Sequence, residues 1–147
     1  MKTFKTFLAA IVCLTLTPFT SFAADHPIVA NQLPAAAKQF IAKNFPGKTI
    51  AYAEKDTEYM KTTYEVSLND GTNIDFNGQG VWDKVDTHTT PVPAAIVPAT
   101  IQQYVSAHFR GQVITKVDKE RHGYDIELSN GMDLKFNRGG AFMGIDD

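Results

Sequence analysis

Two stretches of this chain alternate apolar and polar residues on the same plan. The first runs from residue 64 to 77 and the second from residue 124 to 137, and each has an Asn or Asp followed by a glycine at its centre, Gly71 and Gly131. Alternation with a period of two is typical of β-strands that bury one face, and the central glycine indicates a tight turn. The sequence therefore predicts the same β-hairpin twice.

Loop length decides which side chains of a hairpin share a face. A two-residue turn at Asp70-Gly71 would place the apolar residues on both faces of the sheet. A three-residue loop, with Gly71 left-handed at a bulge, places them on one face. We therefore predict the three-residue loop in both hairpins. The facing pairs that result are Leu68–Thr72, Val66–Ile74, Tyr64–Phe76, Leu128–Met132, Ile126–Leu134 and Tyr124–Phe136.

An amphipathic helix is predicted ahead of each hairpin. In the first, Pro34 opens the helical pattern and Pro46-Gly47 ends it. In the second, Val97-Pro98 stands 64 residues after Leu33-Pro34 and opens the same pattern. Apolar residues at helical spacing give each helix one stripe that faces the core. The two stripes are Ala37, Phe40, Ile41, Phe45 and Ile101, Tyr104, Val105, Phe109.

The order of these elements predicts an α+β fold built as a tandem repeat, in which each unit is a helix packed on a small antiparallel β-meander sheet. We assign residues 24–86 to the first helix-plus-sheet repeat, 87–96 to a proline-bearing linker and 97–147 to the second repeat. Residues 49–53 are a predicted strand, and the polar stretch 54–63 a longer turn. A unit of about 55 residues is marginally stable alone, so we expect the two units to pack on each other.

The N-terminal segment has the features of a secretory signal peptide. Lys2 and Lys5 precede an apolar run from Phe7 to Leu16, which is followed by Pro18 and the small-residue site Ser21-Phe22-Ala23. This order predicts a signal peptide, residues 1–23, that is cleaved after Ala23. An uncleaved anchor fits less well, because roughly 18 or more unbroken apolar residues are expected for a membrane span. We therefore predict a periplasmic or secreted protein.

Cleavage changes the composition in two ways that bear on function. It removes the only cysteine, Cys13, and two of the 14 basic residues, leaving 12 basic against 16 acidic side chains. The mature chain then has no disulfide, no thiol chemistry and no thiolate metal site. Its net charge of about −4 argues against nucleic acid or an anionic membrane surface as a partner. No membrane span is expected after cleavage.

Five short motifs follow one another in the first unit: Leu33-Pro34, Phe45-Pro46-Gly47, Tyr64 to Gly71, Ile74 to Phe76 and Gly80 to Trp82. In this order of motifs the chain resembles the PepSY-like, beta-lactamase-inhibitor-like family of exported bacterial proteins. The second unit departs from the family pattern at Arg110, in place of Pro, and at Phe142, in place of Trp. The resemblance implies a periplasmic or secreted, non-catalytic domain, and the inhibitor-like name implies protein binding.

Acidic pairs on the polar faces of the hairpins are the first candidate binding site. The three-residue loop places Glu65 opposite Asp75 and Glu127 opposite Asp133. Like charges directly opposite each other cost roughly 0.2–1 kcal/mol, so two such pairs suggest a surface for a cation or for basic side chains of a partner. The alternative is a solvated face that tolerates such pairs. Because the pairs lie in mid-sheet without a deep cleft, we do not expect an enzyme.

Two aromatic residues in equivalent positions are the second candidate. If the turn from Asn77 to Gly80 has four residues, Trp82 and Phe142 stand on the open face beside the carboxylates and are anchors for a protein partner. A turn one residue longer or shorter places them in the core instead.

The third candidate is His26, which follows the predicted cleavage site. Cleavage would expose Ala24-Asp25-His26, and a terminal amine, two amides and an imidazole at the third residue can form a square-planar Cu(II) or Ni(II) site. A histidine at this position by coincidence is the alternative. The remaining histidines, His88, His108 and His122, have no ligand spacing.

Together these features predict an exported, non-catalytic module that binds an unidentified protein or peptide through its open sheet faces, without a cofactor. The alternative is a periplasmic cation-binding or envelope-stress protein that uses the acidic sheet face or the N-terminal Ala-Asp-His. The residues assigned to partner binding are Trp82, Phe142, Glu65, Asp75, Glu127 and Asp133.

Overall fold

The two alternating stretches fold as hairpins of one continuous sheet. The computed structural model describes residues 26–146, in which nine antiparallel strands follow one another in chain order across the sheet. Two helices, α1 (Ala35–Asn44) and α2 (Ala99–His108), pack on one face. The strands are β1 (His26–Pro27), β2 (Ile50–Glu58), β3 (Lys61–Leu68), β4 (Asn73–Asn77), β5 (Trp82–Asp86), β6 (Ile114–Glu120), β7 (Gly123–Leu128), β8 (Asp133–Asn137) and β9 (Phe142–Asp146).

The hydrophobic core lies between the helices and one face of the sheet, as the stripe and strand patterns predict. Phe76 and Phe136 are fully buried at its centre. Phe40 of α1 meets the ring of Phe76 edge-on at a centroid distance of 5.7 Å, and Tyr104 of α2 meets Phe136 in the same way at 5.5 Å. Each helix therefore rests on the central aromatic residue of the hairpin that follows it.

The predicted hairpin register is confirmed in both places. Val66 lies opposite Ile74, and Ile126 lies opposite Leu134. The Leu68 N–H donates to the Thr72 carbonyl at 2.8 Å, which closes the three-residue loop. Gly71 has φ +89°, a left-handed conformation that a glycine adopts at little cost.

The predicted α+β class is confirmed, but the strands form a single sheet where two small ones were expected. Strand β5 pairs with β6, which places Val85 opposite Val117 and Lys84 opposite Asp118. Residues 87–96 do not behave as a spacer, because Val92 is buried and its N–H donates to the Ile114 carbonyl at 2.8 Å. The first half (residues 26–86) and the second half (residues 97–146) thus share one core.

Close approach of two loops fixes the helices to the sheet. Gly80 and Gly140 both have φ +79° and end the loops between β4 and β5 and between β8 and β9. A Cβ on Gly80 would lie 2.7 Å from Cβ of Pro34, and one on Gly140 would overlap the side chain of Thr100. Only glycine fits at these two contacts with the start of each helix.

Two further predictions concern the signal peptide and the turn before the first hairpin. The signal peptide, residues 1–23, lies outside the described residues. The longer turn predicted for residues 54–63 is wrong, because β2 and β3 extend through it and meet at a two-residue turn, Tyr59-Met60. The sequence pattern did not indicate this strand pair, because its outer part has polar residues on both faces and no buried residue. Among residues 26–146, no helix is long and apolar enough to cross a membrane.

Candidate functional site

The sheet face turned away from the helices is the open face, and it is lined by polar side chains. One line of seven residues crosses it from β2 to β8, each directly opposite the next on the neighbouring strand, and we call this line the charged row. It consists of Glu54, Glu65, Asp75, Lys84, Asp118, Asp125 and Lys135.

Three carboxylates stand side by side at the first-half end of the charged row. Burial raises the pKa of Glu65, and the neighbouring charges of Asp75 and Glu54 raise it further. Burial likewise raises the pKa of Asp75, although Lys84, whose Nζ lies 3.7 Å from Oδ2, lowers it again. Lys84 thus lies next to only the last of three adjacent acidic side chains. The other two have no lysine directly opposite them, so this end of the row keeps a net negative charge.

The second-half end of the row has two more carboxylates, and a lysine stands on each side of this pair. Asp118 lies opposite both Lys84 and Asp125 on its two neighbouring strands. Burial raises the pKa of Asp118, with a further contribution from Glu120, and burial also raises the pKa of Asp125. All four shifted carboxyls of the row therefore hold their protons more tightly than isolated carboxyls do.

A second line of side chains runs parallel to the charged row and differs between the halves. Its residues on β2, β3 and β4 are uncharged, and Ser67 Oγ donates to Asn73 Oδ1 at 2.7 Å. The first charged residue of the line is Asp86 on β5. In the second half Lys116 Nζ lies 3.0 Å from Glu127 Oε2, and the hydrogen bond to Glu127 raises the pKa of Lys116. The line consists of Tyr52, Ser67, Asn73, Asp86, Lys116, Glu127, Asp133 and Asp146.

The four acidic residues predicted for partner binding all lie on this open face. Glu65 is opposite Asp75, and Glu127 is opposite Asp133, as the sequence indicated. Their surroundings differ, because Glu127 has a lysine in contact and Glu65 has only carboxylates directly opposite.

Trp82 and Phe142 do not lie on the open face, and the prediction that placed them there is wrong. Asn77 pairs with Val81 through the N–H of Asn77 and the carbonyl of Val81, so the loop has three residues. Trp82 therefore falls opposite Phe76 on the core face, and a bulge at Asp83 restores the register of the remaining strand. The same shift places Phe142 opposite Phe136.

Both aromatic residues hold the helices. Trp82 stacks on Phe40 at a centroid distance of 5.8 Å, and Phe142 stacks on Tyr104 at 4.6 Å. Lys119 covers the other side of Trp82, with Nζ 3.5 Å from the ring centroid and a 3.0 Å hydrogen bond to the Trp82 carbonyl. Burial lowers the pKa of Lys119. These contacts assign the two rings to packing.

The predicted metal site is only partly described. His26 is exposed and begins β1, opposite Lys55, whereas Ala24 and Asp25 lie outside the described residues. Within residues 26–146, no group of three or more His, Cys, Asp or Glu side chains is arranged to hold a metal ion.

The tip of the β2–β3 hairpin is a feature that the sequence reasoning missed. Tyr59 and Met60 are 94% and 95% exposed and have φ +46° and +67°, left-handed values that bulky residues rarely adopt. An Asn-Gly pair is the usual choice for such a turn. The signal available in the sequence was a Tyr-Met pair in a polar stretch, at the place where the first half is four residues longer than the second.

Comparison with known proteins shows close relatives of this fold. The profile of a family described as "putative beta-lactamase-inhibitor-like, PepSY-like" matches residues 62–144. A "putative periplasmic protein" of the DUF2874 family from Bacteroides vulgatus has 33% sequence identity and a TM-score of 0.79, over 84% of this chain and 97% of that one. No curated protein matches.

Two further solved structures agree with this result. A "putative calcium-regulated periplasmic protein" from Bacteroides thetaiotaomicron has 34% identity and a TM-score of 0.79, over 84% of this chain and 97% of that one. A "putative periplasmic protein of unknown function" from Bacteroides vulgatus has 32% identity and a TM-score of 0.81, over 84% of this chain and all of that one. The predicted periplasmic localisation is confirmed.

Proposed function

Since the chain belongs to the PepSY-like, beta-lactamase-inhibitor-like family, we propose that it is a non-catalytic periplasmic module whose open face binds a basic segment of a protein or peptide. The observation that carries the proposal is the charged row, in which five carboxylates and two lysines lie opposite one another across seven strands.

The raised pKa values explain why a cationic partner fits this face. Burial makes the charged forms of Glu65 and Asp75 less favourable than they are in water, and at Glu65 the charges of Asp75 and Glu54 add to this effect. A lysine or arginine side chain placed between them relieves the repulsion and forms charge-assisted hydrogen bonds. Because the carboxylates stand on adjacent strands of one sheet, they are already in place, and little ordering is needed when the partner binds.

The same geometry favours a binding role over catalysis. The carboxylates of the charged row lie on an open sheet surface, which positions a substrate against a general acid or base less well than a cleft does. We also infer that the two halves are copies of one helix-plus-sheet unit. The matching registers of the two hairpins and the equivalent bulges at Asp83 and Met143 support this inference.

A charge-matched pair of variants tests the proposal. The probe is a fluorescein-labelled peptide of alternating Lys and Ser, and its anisotropy is measured during titration with the mature protein. Replacing Glu65 and Glu127 by Gln removes two negative charges from the open face, and we expect the affinity to fall about fivefold or more. Replacing exposed Gln39 and Gln103 on the helices by Lys changes the net charge equally. This control should change the affinity less than about twofold.

Equal losses in the two variants would contradict the proposal, because they would show that the peptide responds to net charge alone. The proposal would also be contradicted if neither variant changed the affinity for the peptide. Circular dichroism of each variant confirms that it is folded before the titration.

A second candidate function is the binding of a divalent cation, and one observation favours it. The relative with 34% identity is described as calcium-regulated. On this chain Ca²⁺ would take carboxylate oxygens of the open face, since carboxylates are its usual ligands. Calorimetric titration with CaCl₂ tests this role, and loss of the heat signal in the Glu65→Gln variant would assign the ion to the charged row. Titration of the mature chain with CuSO₄ and of its His26→Ala variant tests the predicted N-terminal site.

A further inference from the structure

We propose that the outer edge of β9 is a docking site for an extended strand of another protein, which adds to the sheet as a tenth, antiparallel strand. The occupant presents an apolar residue beside Ile145 and a basic residue opposite Asp146. This inference is separate from the proposed role of the charged row, because it rests on the edge of the sheet and not on its open face.

The comparison of β9 with β5 identifies the site. Both strands follow a three-residue loop, carry a bulge after their first residue and pair with the preceding strand in the same register. Val85 and Ile145 therefore occupy equivalent positions on the core face. Val85 is 0% exposed, because Val117 of β6 lies beside it, whereas Ile145 is 50% exposed. The side chain of Ile145 is therefore half exposed to solvent, whereas its counterpart Val85 is covered by the neighbouring strand.

The backbone of β9 is oriented to accept that strand. In an antiparallel pair, hydrogen-bonded and non-hydrogen-bonded residue pairs alternate. The bond from the Leu128 N–H to the Met132 carbonyl fixes this alternation between β7 and β8. Carried to β9, it turns the N–H and the carbonyl of Ile145 away from β8. In the part of the chain that the structure describes, β9 is the last strand of the sheet, and no strand pairs with this side.

The chemistry of the occupant follows from the strand that covers β5. Opposite Asp86, β6 places Lys116, and opposite Val85 it places Val117. In β9 the equivalent positions hold Asp146 and Ile145. A strand with Lys or Arg followed by Val or Ile therefore reproduces the opposite charges and the apolar contact that face each other across β5 and β6. Asp146 already has Lys135 Nζ 2.8 Å from its Oδ2, so the basic residue of the occupant would join an existing ion pair. Gly144 occupies the position equivalent to Lys84 of β5, and because it has no side chain it does not require a charged residue opposite it in the occupant.

A second copy of this chain fits the edge less well. The other end of the sheet is β1, whose two residues, His26 and Pro27, pair with Lys55 and Glu54 on the outer side of β2. Proline has no N–H to donate, which is a common protection of sheet edges. Pairing of β9 with β9 of a second copy, centred on Ile145, would supply the apolar contact but would place Gly144, which carries no charge, opposite Asp146. Centred on Gly144, the pairing would place Phe142 opposite Asp146, so neither register supplies a basic residue. The observations therefore favour a strand from a different protein.

The probe for the test is a capped peptide with the sequence of β6, Ile114–Glu120, titrated into ¹⁵N-labelled mature protein. We expect shifts of β9 amides and slower hydrogen exchange at the Ile145 amide when the peptide is bound. Ile145→Pro removes the outward N–H while leaving the bonds to β8 intact, and we expect the affinity to fall about tenfold. Ile145→Val retains the N–H and is the matched control, with a loss of less than about threefold.

Each alternative outcome is distinguishable from the proposal. An absence of β9 shifts at millimolar peptide, or equal affinity for the wild type and Ile145→Pro, would overturn it. So would a dimer in analytical ultracentrifugation that Ile145→Pro abolishes, because the edge would then be occupied by a second copy. The variant with Gln at positions 65 and 127 should bind the β6 peptide as the wild type does. Loss in that variant alone would place the peptide on the open face and overturn the edge assignment.

Discussion

Val85 and Ile145 occupy equivalent positions in the two halves of the sheet, yet one is buried and the other is half exposed. The strands that carry them have the same length, the same bulge and the same pairing with the preceding strand. The difference comes from β6, which lies beside β5 and has no counterpart beside β9 among the described residues. Position in the sheet, more than local sequence, thus decides which of the two strands has an uncovered edge among the described residues.

The hairpins show a second contrast of the same kind. The β2–β3 hairpin of the first half is longer than the β6–β7 hairpin and ends in the exposed Tyr59-Met60 turn. On the open face, the first half carries three adjacent carboxylates with one lysine, Lys84, at the end of the run, whereas the second half intersperses Lys116 and Lys135. The halves share a core and differ in what they present to solvent. Four variants and conditions sharpen this contrast.

Removal of the central aromatic residues should have the largest effect and should be similar in the two halves. Phe76→Ala and Phe136→Ala each delete a fully buried ring, so we expect each to lower the free energy of unfolding by about 3–5 kcal/mol. Urea denaturation followed by fluorescence and by circular dichroism should give one transition in each case, because the halves share one core. Two separated transitions would mean that the halves unfold independently.

The next effect distinguishes the two half-buried rings. Trp82 contacts Phe40 and is covered by Lys119, whereas Phe142 lies on the last strand against Tyr104. We expect Trp82→Ala to cost about 2–3 kcal/mol and Phe142→Ala about 1–2 kcal/mol, since each ring is only partly buried. Urea denaturation measures both. Costs below about 0.5 kcal/mol would instead indicate surface residues, as the sequence first suggested.

A gain of stability is expected at the hairpin tip of the first half only. Replacing Tyr59-Met60 by Asn-Gly supplies residues that tolerate the left-handed backbone, and the protein should gain about 1–2 kcal/mol. The control is the second-half turn, where neither Arg121 nor His122 has a positive φ and Asn-Gly should give no gain. Thermal unfolding of both variants checks this. Equal gains would show that the turns do not differ in strain.

Titration of the charged row should have the smallest effect. The folded protein raises the pKa of Asp75 and Asp118, mainly through burial, so it binds their protons more tightly than the unfolded chain does. Stability should therefore rise as pH falls from 7 towards the ordinary carboxyl range near 4, by less than about 1 kcal/mol after allowance for solvent screening. Urea midpoints at several pH values measure it, and Asp118→Asn should reduce the slope. A steady fall over this range would contradict the account.

The sequence was sufficient to predict the parts of the fold that depend on one local pattern. Alternation with a single apolar face allowed only one register, so the pairing of Val66 with Ile74 followed from the loop length. The position of Trp82 was missed because it depends on one residue of loop length and on the bulge at Asp83, which no periodicity records. The same loop length also fixed the face of the acidic residues, which is why Glu65, Asp75, Glu127 and Asp133 were predicted correctly to lie on the open face.

The contacts between the two halves could not be predicted from local sequence patterns. The pairing of β5 with β6 joins strands that are separated by a whole helix, and nothing in the hairpin pattern indicates it. The β2–β3 extension was missed because Asp56 and Thr57 give no apolar face to a strand that projects from the core. The edge at Ile145 could be recognised only when the structure showed what covers Val85.

The central claim is that the open face, and not the helix face, receives the basic partner. An amide chemical-shift map of ¹⁵N-labelled mature protein with the Lys-Ser peptide tests it most directly. We expect the shifted amides to follow the charged row, led by Glu65, Asp75 and Asp118, with α1 and α2 unchanged. Shifts concentrated on the helices or spread evenly over the surface would contradict the account.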